Sequence, residues 1–226
     1  MAGPSYAILI DGGFVKYTLK RKRSDPPIDD ALVQAFVDSI GRLSQLDGAR
    51  LHRVYFYDAK PLTRKITRPD GSIMDFAASK SHAISTLQHQ TIARLPFVAM
   101  RFGELSERGW KVPERILRKQ KNVANVTIPA GDLEPNVQQK GVDMRIGLDI
   151  ATLTIKQQSD IIVLVTGDSD LVPAMKLARR EGAQVILVTL GQKLKEAMYD
   201  HADVVLEDKA WISYPAEGSQ GDRAVG

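Results

Sequence analysis

The chain has 226 residues, 43% of them hydrophobic and 26% charged, with a formal net charge of +4 and no cysteine. That length supports one sizeable core and is short for two independent domains, and no apolar run approaches the roughly 20 residues that a membrane-spanning helix requires. Without cysteine there are no disulfides, thiolate zinc sites or cysteine nucleophiles, so carboxylates and the four histidines are the candidate ligands, a set suited to a hard, oxygen-loving metal.

The N-terminus leads into a strand-like segment with neither a basic n-region nor a cleavage site, which predicts a soluble protein that stays in the cytoplasm, with no membrane partner. Residues 6–10 (Tyr-Ala-Ile-Leu-Ile) form the first predicted strand. The turn Asp11-Gly12-Gly13 and a basic loop to Pro26-Pro27 follow. Asp29 or Asp30 caps a helix whose apolar positions Leu32, Val33, Phe36, Val37, Ile40 and Leu43 recur at helical spacing. Residues 51–57 read as a second strand ending at Asp58, and 59–75, with Pro61, Pro69 and Asp70-Gly71, as a loop before a helix over about 76–94.

A third strand covers 97–103. Residues 104–139 read as an insertion, with strand fragments at 110–112 and 126–128 and a basic helix-like patch. From there the pattern is regular: helix 142–157, strand 161–166, helix 170–181, strand 184–189, helix 192–200 and a short strand 204–206. Continuous Val/Ile/Leu strands alternating with amphipathic helices predict a doubly wound α/β fold, a parallel sheet with helices on both faces. One domain over 1–212 and a disordered polar tail at 213–226 complete the predicted organisation.

Positive charge is clustered. Lys20-Arg21-Lys22-Arg23 form one group, Lys60, Arg64, Lys65 and Arg68 a second, and Arg115, Arg118, Lys119 and Lys121 a third. Any one of these is equally well a solvated surface. Three of them beside an acidic centre favour a polyanionic partner, with Arg21 and Lys22 as candidate contacts.

The acidic centre is read from strand ends. Asp11 follows the first strand, and Asp168 and Asp170 follow the strand at 161–165 in Thr166-Gly167-Asp168-Ser169-Asp170, which places both sets at the carboxyl edge where ligands of such sheets bind. Asp143, in Lys140-Gly141-Val142-Asp143, opens a helix and reaches the same edge from its first turn. Asp149 lies about 240° around that helix, at about 100° per residue, and reads as a packing residue. Asp25, Asp29, Asp30, Asp58 and Asp70 read as loop and cap residues. Taken singly, Asp168, Ser169 or Asp170 is equally a cap or turn former; capping alone does not bring three separate segments to one crevice. Clustered carboxylates resist ionisation unless a cation neutralises them. Mg2+ or Mn2+ suits a few aspartates around an open site and would activate water against a phosphodiester.

These residues resemble a known family. A strand ending in an Asp-Gly turn (LIDGG), KGVDMRIGLDI opening a helix, and a strand ending in TGDSDLVPAMKLAR are similar to the NYN domain, in particular its LabA-like (DUF88) branch within the PIN-like nuclease superfamily, over about residues 6–207. The resemblance implies a Rossmann-like PIN fold and metal-dependent RNA cleavage, with Asp11, Asp143, Asp168 and Asp170 as the catalytic, metal-binding set. It further implies that Lys140 sits near the metal, within reach of a phosphate. Asp149 matches the second acid of the helix motif, against its helical phase. One departure is Phe14, where many members carry Asn three residues after the first Asp; if that Asn positions substrate or water, the departure implies either altered activity or Ser169 or Thr166 in its place, hydroxyls that are more commonly turn or cap groups.

Other readings divide by chemistry. An aspartyl-phosphate phosphatase needs a second acid two positions after its nucleophile, and here that position is Gly13. Phosphate-binding loops of the Walker-A and G-x-G-x-x-G types are absent. The stronger competitor is a catalytically silent RNA-binding or regulatory module, in which Tyr17, Phe102 and Trp110 offer stacking surfaces, although packing is their commoner use. Retention of four matching acids argues against silence, because phosphate affinity comes from cations. Self-association into a homo-oligomer fits either reading.

Overall fold

The computed structural model describes residues 3–19, 28–119 and 125–208. Its elements in chain order are β1 (Ser5–Asp11), α1 (Gly12–Leu19), α2 (Asp30–Gly41), β2 (Arg50–Ala59), β3 (Lys65–Thr67), β4 (Ile73–Asp75), α3 (Lys80–Ile92), β5 (Val98–Lys111), α4 (Glu114–Lys119), β6 (Glu134–Lys140), α5 (Val142–Ile155), β7 (Ile161–Val165), α6 (Val172–Arg180), β8 (Gln184–Val188), α7 (Glu196–Tyr199) and β9 (Val204–Leu206). Seven strands form one sheet in the order β6-β5-β2-β1-β7-β8-β9, parallel except for the β5–β6 pair.

The doubly wound fold is as predicted. Successive residues of β1 and β7 point to opposite faces and are all buried, which is why these strands read as unbroken apolar runs. Ile8, Ile10, Val163 and Val165 pack with Leu32, Phe36 and Ile40 on one face. Ala7, Leu9, Ile162 and Leu164 pack with Ile146, Ile150 and Met175 on the other. Ile146 and Ile150 are at most 1% exposed, and burial of each contributes about 1.5–3 kcal/mol towards holding α5 on the sheet. Among the described residues, no helix is long and apolar enough to cross a membrane.

Several expectations need correction. Residues 12–19 form helix α1 and not a turn with a loop, because the Asp11 carboxylate accepts the Phe14 N–H at 3.0 Å and so caps a helix that starts directly behind β1. The supposed loop 59–75 contains the β3–β4 hairpin. The region 104–139 contains a strand hairpin at its two ends: β5 runs to Lys111, and β6 returns antiparallel to it. The fragment 126–128 has no regular structure. The helix expected over 192–200 is the single turn α7. The first basic cluster, with Arg21 and Lys22, lies outside the described residues, as do Asp25, Lys121 and the tail at 213–226.

Candidate active site at the carboxyl edge

Counted along the chain, the six parallel strands lie in the order 3-2-1-4-5-6, which reverses direction between β1 and β7. A crevice opens beyond the strand ends at such a reversal. Asp11 closes β1 there, and Thr166, Gly167 and Asp168 leave β7 beside it. The opening turn of α5 brings Asp143 to the same edge. Its start is set by two glycines. Gly141 takes φ 74°, a left-handed conformation that turns β6 into the helix. Gly103 lets β5 pass beneath the junction, since a Cβ there would lie 2.6 Å from both Lys140 O and Val142 Cγ2.

Asp11 is 7% exposed and held at both oxygens: Phe14 N–H donates to Oδ1 at 3.0 Å and the Thr166 hydroxyl to Oδ2 at 3.0 Å. The same Thr166 oxygen accepts the Asp168 N–H at 3.2 Å, tying the two strand ends together. Burial pushes the Asp11 carboxyl above its ordinary range; those two hydrogen bonds oppose the rise, and the charges of Asp143 and Asp168 add to it. The Asp143 carboxyl is also raised, first by desolvation, then by the charges of Asp168 and Asp170, and by a hydrogen bond to Asp168 that only a protonated carboxyl can make. Asp11, Asp143 and Asp168 therefore feel one another, and Asp170 is coupled through Asp143.

Asp168 also caps the turn that leads to α6, its Oδ1 accepting the Asp170 N–H at 2.9 Å. The capping role and the place in the cluster coexist in this residue. Ser169 is half-buried in that turn, while Lys140 and Asp170 are exposed. Phe14 rests against the loop that carries Asp168: a Cβ on Gly167 would lie 2.6 Å from the ring. The aromatic side chain thus buttresses the acidic loop.

Asp149 stands apart, as its helical phase requires. Its Oδ2 accepts the buried Tyr57 hydroxyl at 2.7 Å and Arg101 Nε at 3.0 Å. Asp29 caps α2 by accepting Leu32 N–H, and Asp70 accepts Ser72 N–H in its turn. Asp58 is not a loop residue. It is 4% exposed and paired with both Lys16 and His89. Burial raises its carboxyl, but the His89 hydrogen bond and the charge and hydrogen bond of Lys16 outweigh that and hold it below the ordinary range. The available signal was an acid directly behind an apolar strand, the same one that marks Asp11.

The basic clusters are partly committed. Arg64 pairs with Glu107 and Lys65 with Asp75; Arg115 pairs with Glu134 and Arg118 with Glu114.

The donor set suits Mg2+ or Mn2+: all oxygen, anionic, and electrostatically strained in a way that a divalent cation relieves. Among the described residues, no three histidine or acidic side chains already form a metal cage. The fit therefore lies in donor chemistry and mutual electrostatics.

A parallel sheet reversing at β1/β7, with acids gathered beyond the reversal, defines a Rossmann-like, PIN-like α/β protein. The NYN domain model matches residues 6–208, and the chain belongs to that family, whose members are generally nucleases acting on RNA. The chain is 30% identical over 74 residues to the uncharacterized protein MJ0482 of Methanocaldococcus jannaschii, a match covering 33% of this chain and 31% of that protein. It also resembles the crystal structure of VPA0982, a protein of unknown function from Vibrio parahaemolyticus. The TM-score is 0.53 and the identity 16%, with 91% of this chain and 93% of that one covered, a likeness of fold alone.

Proposed function

We propose that this chain is a metal-dependent ribonuclease of the LabA-like branch, hydrolysing RNA phosphodiester bonds. The observation that carries the reading is the electrostatic coupling of Asp11, Asp143 and Asp168, which arrive from three separate elements at the topological switch point. Asp11, Asp143, Asp168 and Asp170 would hold Mg2+ or Mn2+. The bound ion would supply an activated water and neutralise charge on the leaving oxygen. Asp11 is the fixed member, since a hydrogen bond at each oxygen sets its plane and leaves each oxygen a further lone pair for a metal. Lys140 stands within reach of a substrate phosphate, Ser169 lines the acidic turn, and Arg21 and Lys22 add positive charge to the RNA-binding surface.

The test is incubation with structured and unstructured labelled RNA in Mn2+, Mg2+ or chelator, beside an Asp168→Asn/Asp170→Asn variant. Cleavage that needs metal and vanishes in the variant supports the proposal. A specific observation favours a second reading, a catalytically silent RNA-binding module: Phe14 fills the space over Gly167 where the family often carries Asn. Intact RNA with wild type and variant alike, and binding by the variant at least as tight, decides for that reading.

A further inference from the structure

A cavity of about 590 Å³ opens beside the acidic centre and is shared by none of the four acids. Leu62, Met74 and Phe76, on and around the β3–β4 hairpin, line it together with Leu105 and Val137 from the β5–β6 hairpin and His82 from α3. Lys16 and Asp58 also line it. Its boundary with the acidic centre is Gly13: a Cβ there would lie 3.2 Å from Asp11 Oδ1 and 3.6 Å from Gln139 Oε1. The Gln139 amide and the Asp11 carboxylate thus face each other across one glycine.

The chemistry of this cavity differs from that of its neighbour. Its one acid, Asp58, is ion-paired with Lys16 and hydrogen-bonded to His89, so it is already partnered within the fold and offers little to a metal. The lining is mainly apolar with a few polar side chains, Gln139 among them; an amide can both donate to and accept from a heterocycle edge. The volume lies within the range of small-molecule sites, which are apolar with a few placed polar groups. Proteins that read single-stranded RNA splay out unstacked bases and stack them on aromatic side chains, and Phe76 and His82 are the rings in this lining.

We propose that this cavity takes a nucleobase of the RNA, turned out from the strand beside the phosphodiester held at the acidic centre. The proposal rests on the RNA-directed reading above and adds a base-selective subsite to it. The apolar lining holds the base, and Gln139 reads its edge.

The experiment measures binding of short single-stranded RNAs to the full chain in chelator, where no cleavage intervenes. One abasic residue is moved through successive positions of the RNA. Against wild type, loss of the base at one position is expected to weaken binding at least about fivefold, the low end of a base-packing contact. Val137→Trp, which fills the cavity, should remove that position dependence while binding the abasic RNA as wild type does. If Val137→Trp does not fold, Gln139→Ala at an exposed position takes its place, and is expected to change the preference among the four bases at that position without altering the melting temperature. Equal binding at every abasic position, or a Val137→Trp protein with the wild-type profile, overturns the proposal and gives the cavity to another ligand class, such as an apolar peptide. A free nucleoside monophosphate that fills the cavity while RNA binding ignores the missing base also overturns it. Failure to bind any RNA in chelator, together with no cleavage in Mn2+, sinks both this proposal and the ribonuclease reading. Position-dependent binding without cleavage in Mn2+ sinks only the catalytic reading, and cleavage without position dependence sinks only the subsite.

Discussion

Asp149 matches a family acid by motif but a packing residue by geometry, and substitution separates the two roles. Tyr57 is fully buried, and its hydroxyl donates to Asp149 Oδ2 at 2.7 Å. Burial and the Asp149 charge both push the phenol's pKa up, so it stays a neutral donor. Asp149→Ala leaves that hydroxyl without its acceptor, a loss of about 1–3 kcal/mol. The half-exposed Arg101 also loses its partner, which adds under about 1 kcal/mol. A total of about 1–4 kcal/mol corresponds to a fall in melting temperature of about 2–16 °C for a chain of this size. Asp149→Asn keeps an acceptor for Tyr57 and should lose under about 1 kcal/mol. Thermal melting by circular dichroism, with and without Mn2+, is the assay. Both variants should retain the full metal-induced rise in melting temperature. An Asp149→Asn protein that melts like wild type yet loses that rise would put Asp149 in the metal site and refute the geometric argument.

Three further outcomes are expected. Asp143 has a raised folded-state pKa, so its contribution favours folding below the unfolded value and is lost as pH rises through the folded one. Asp143→Asn should therefore melt slightly higher than wild type at neutral pH in chelator, and should lose most of the stabilisation that metal confers, which for wild type is about 2.7 kcal/mol at a hundredfold excess over Kd; a lower melting temperature in chelator contradicts the coupling. Asp58 has the opposite sign: its pKa is held below 3.8, so its stabilisation is present above the unfolded value and lost as pH falls through the folded one. Asp58→Ala should cost about 3–5 kcal/mol at neutral pH and flatten the acid limb of a stability–pH series measured by urea denaturation. Gly103→Ala forces a Cβ to within 2.6 Å of a backbone carbonyl, and should cost about 1–3 kcal/mol and reduce the Mn2+ shift by displacing the start of α5, whereas an unchanged urea midpoint would show that the junction yields freely.

How much was legible follows from where burial is two-sided. β1, β7 and β8 are covered on both faces and announce themselves as apolar runs. β6 is an edge strand, Glu-Pro-Asn-Val-Gln-Gln-Lys, with a proline and three exposed polar residues; it carries no apolar pattern, and so the hairpin it makes with β5 reads as an insertion. Helix α1 was hidden by its own beginning. Two glycines after an aspartate read as a turn, and only the bond from Phe14 N–H to Asp11 shows that the acid is also a cap. The acids of the site were legible because topology places strand ends together. The partners of Asp58 were not, since Lys16 and His89 lie 42 and 31 residues away in sequence and nothing local marks them.

The two acids behind neighbouring strands show how one positional signal gives two chemistries. Asp11 ends β1 and Asp58 lies near the end of β2, and their strands are paired in parallel register. Asp58 meets His89, which hydrogen-bonds to it, and Lys16, whose charge compensates its own; both stabilise the ionised form. Among the described residues Asp11 is met by neutral donors and other acids, and burial together with those acids puts its ionised form under strain. A buried carboxylate with a basic partner is complete within the fold; one faced by further carboxylates needs a cation from outside to relieve the same desolvation. Compensation, more than position, separates the structural acid from the candidate ligand. On that criterion Asp58 and Asp149, each paired with a basic residue, fall on one side. Asp11 and Asp143, each pushed up by its neighbouring acids, fall on the other.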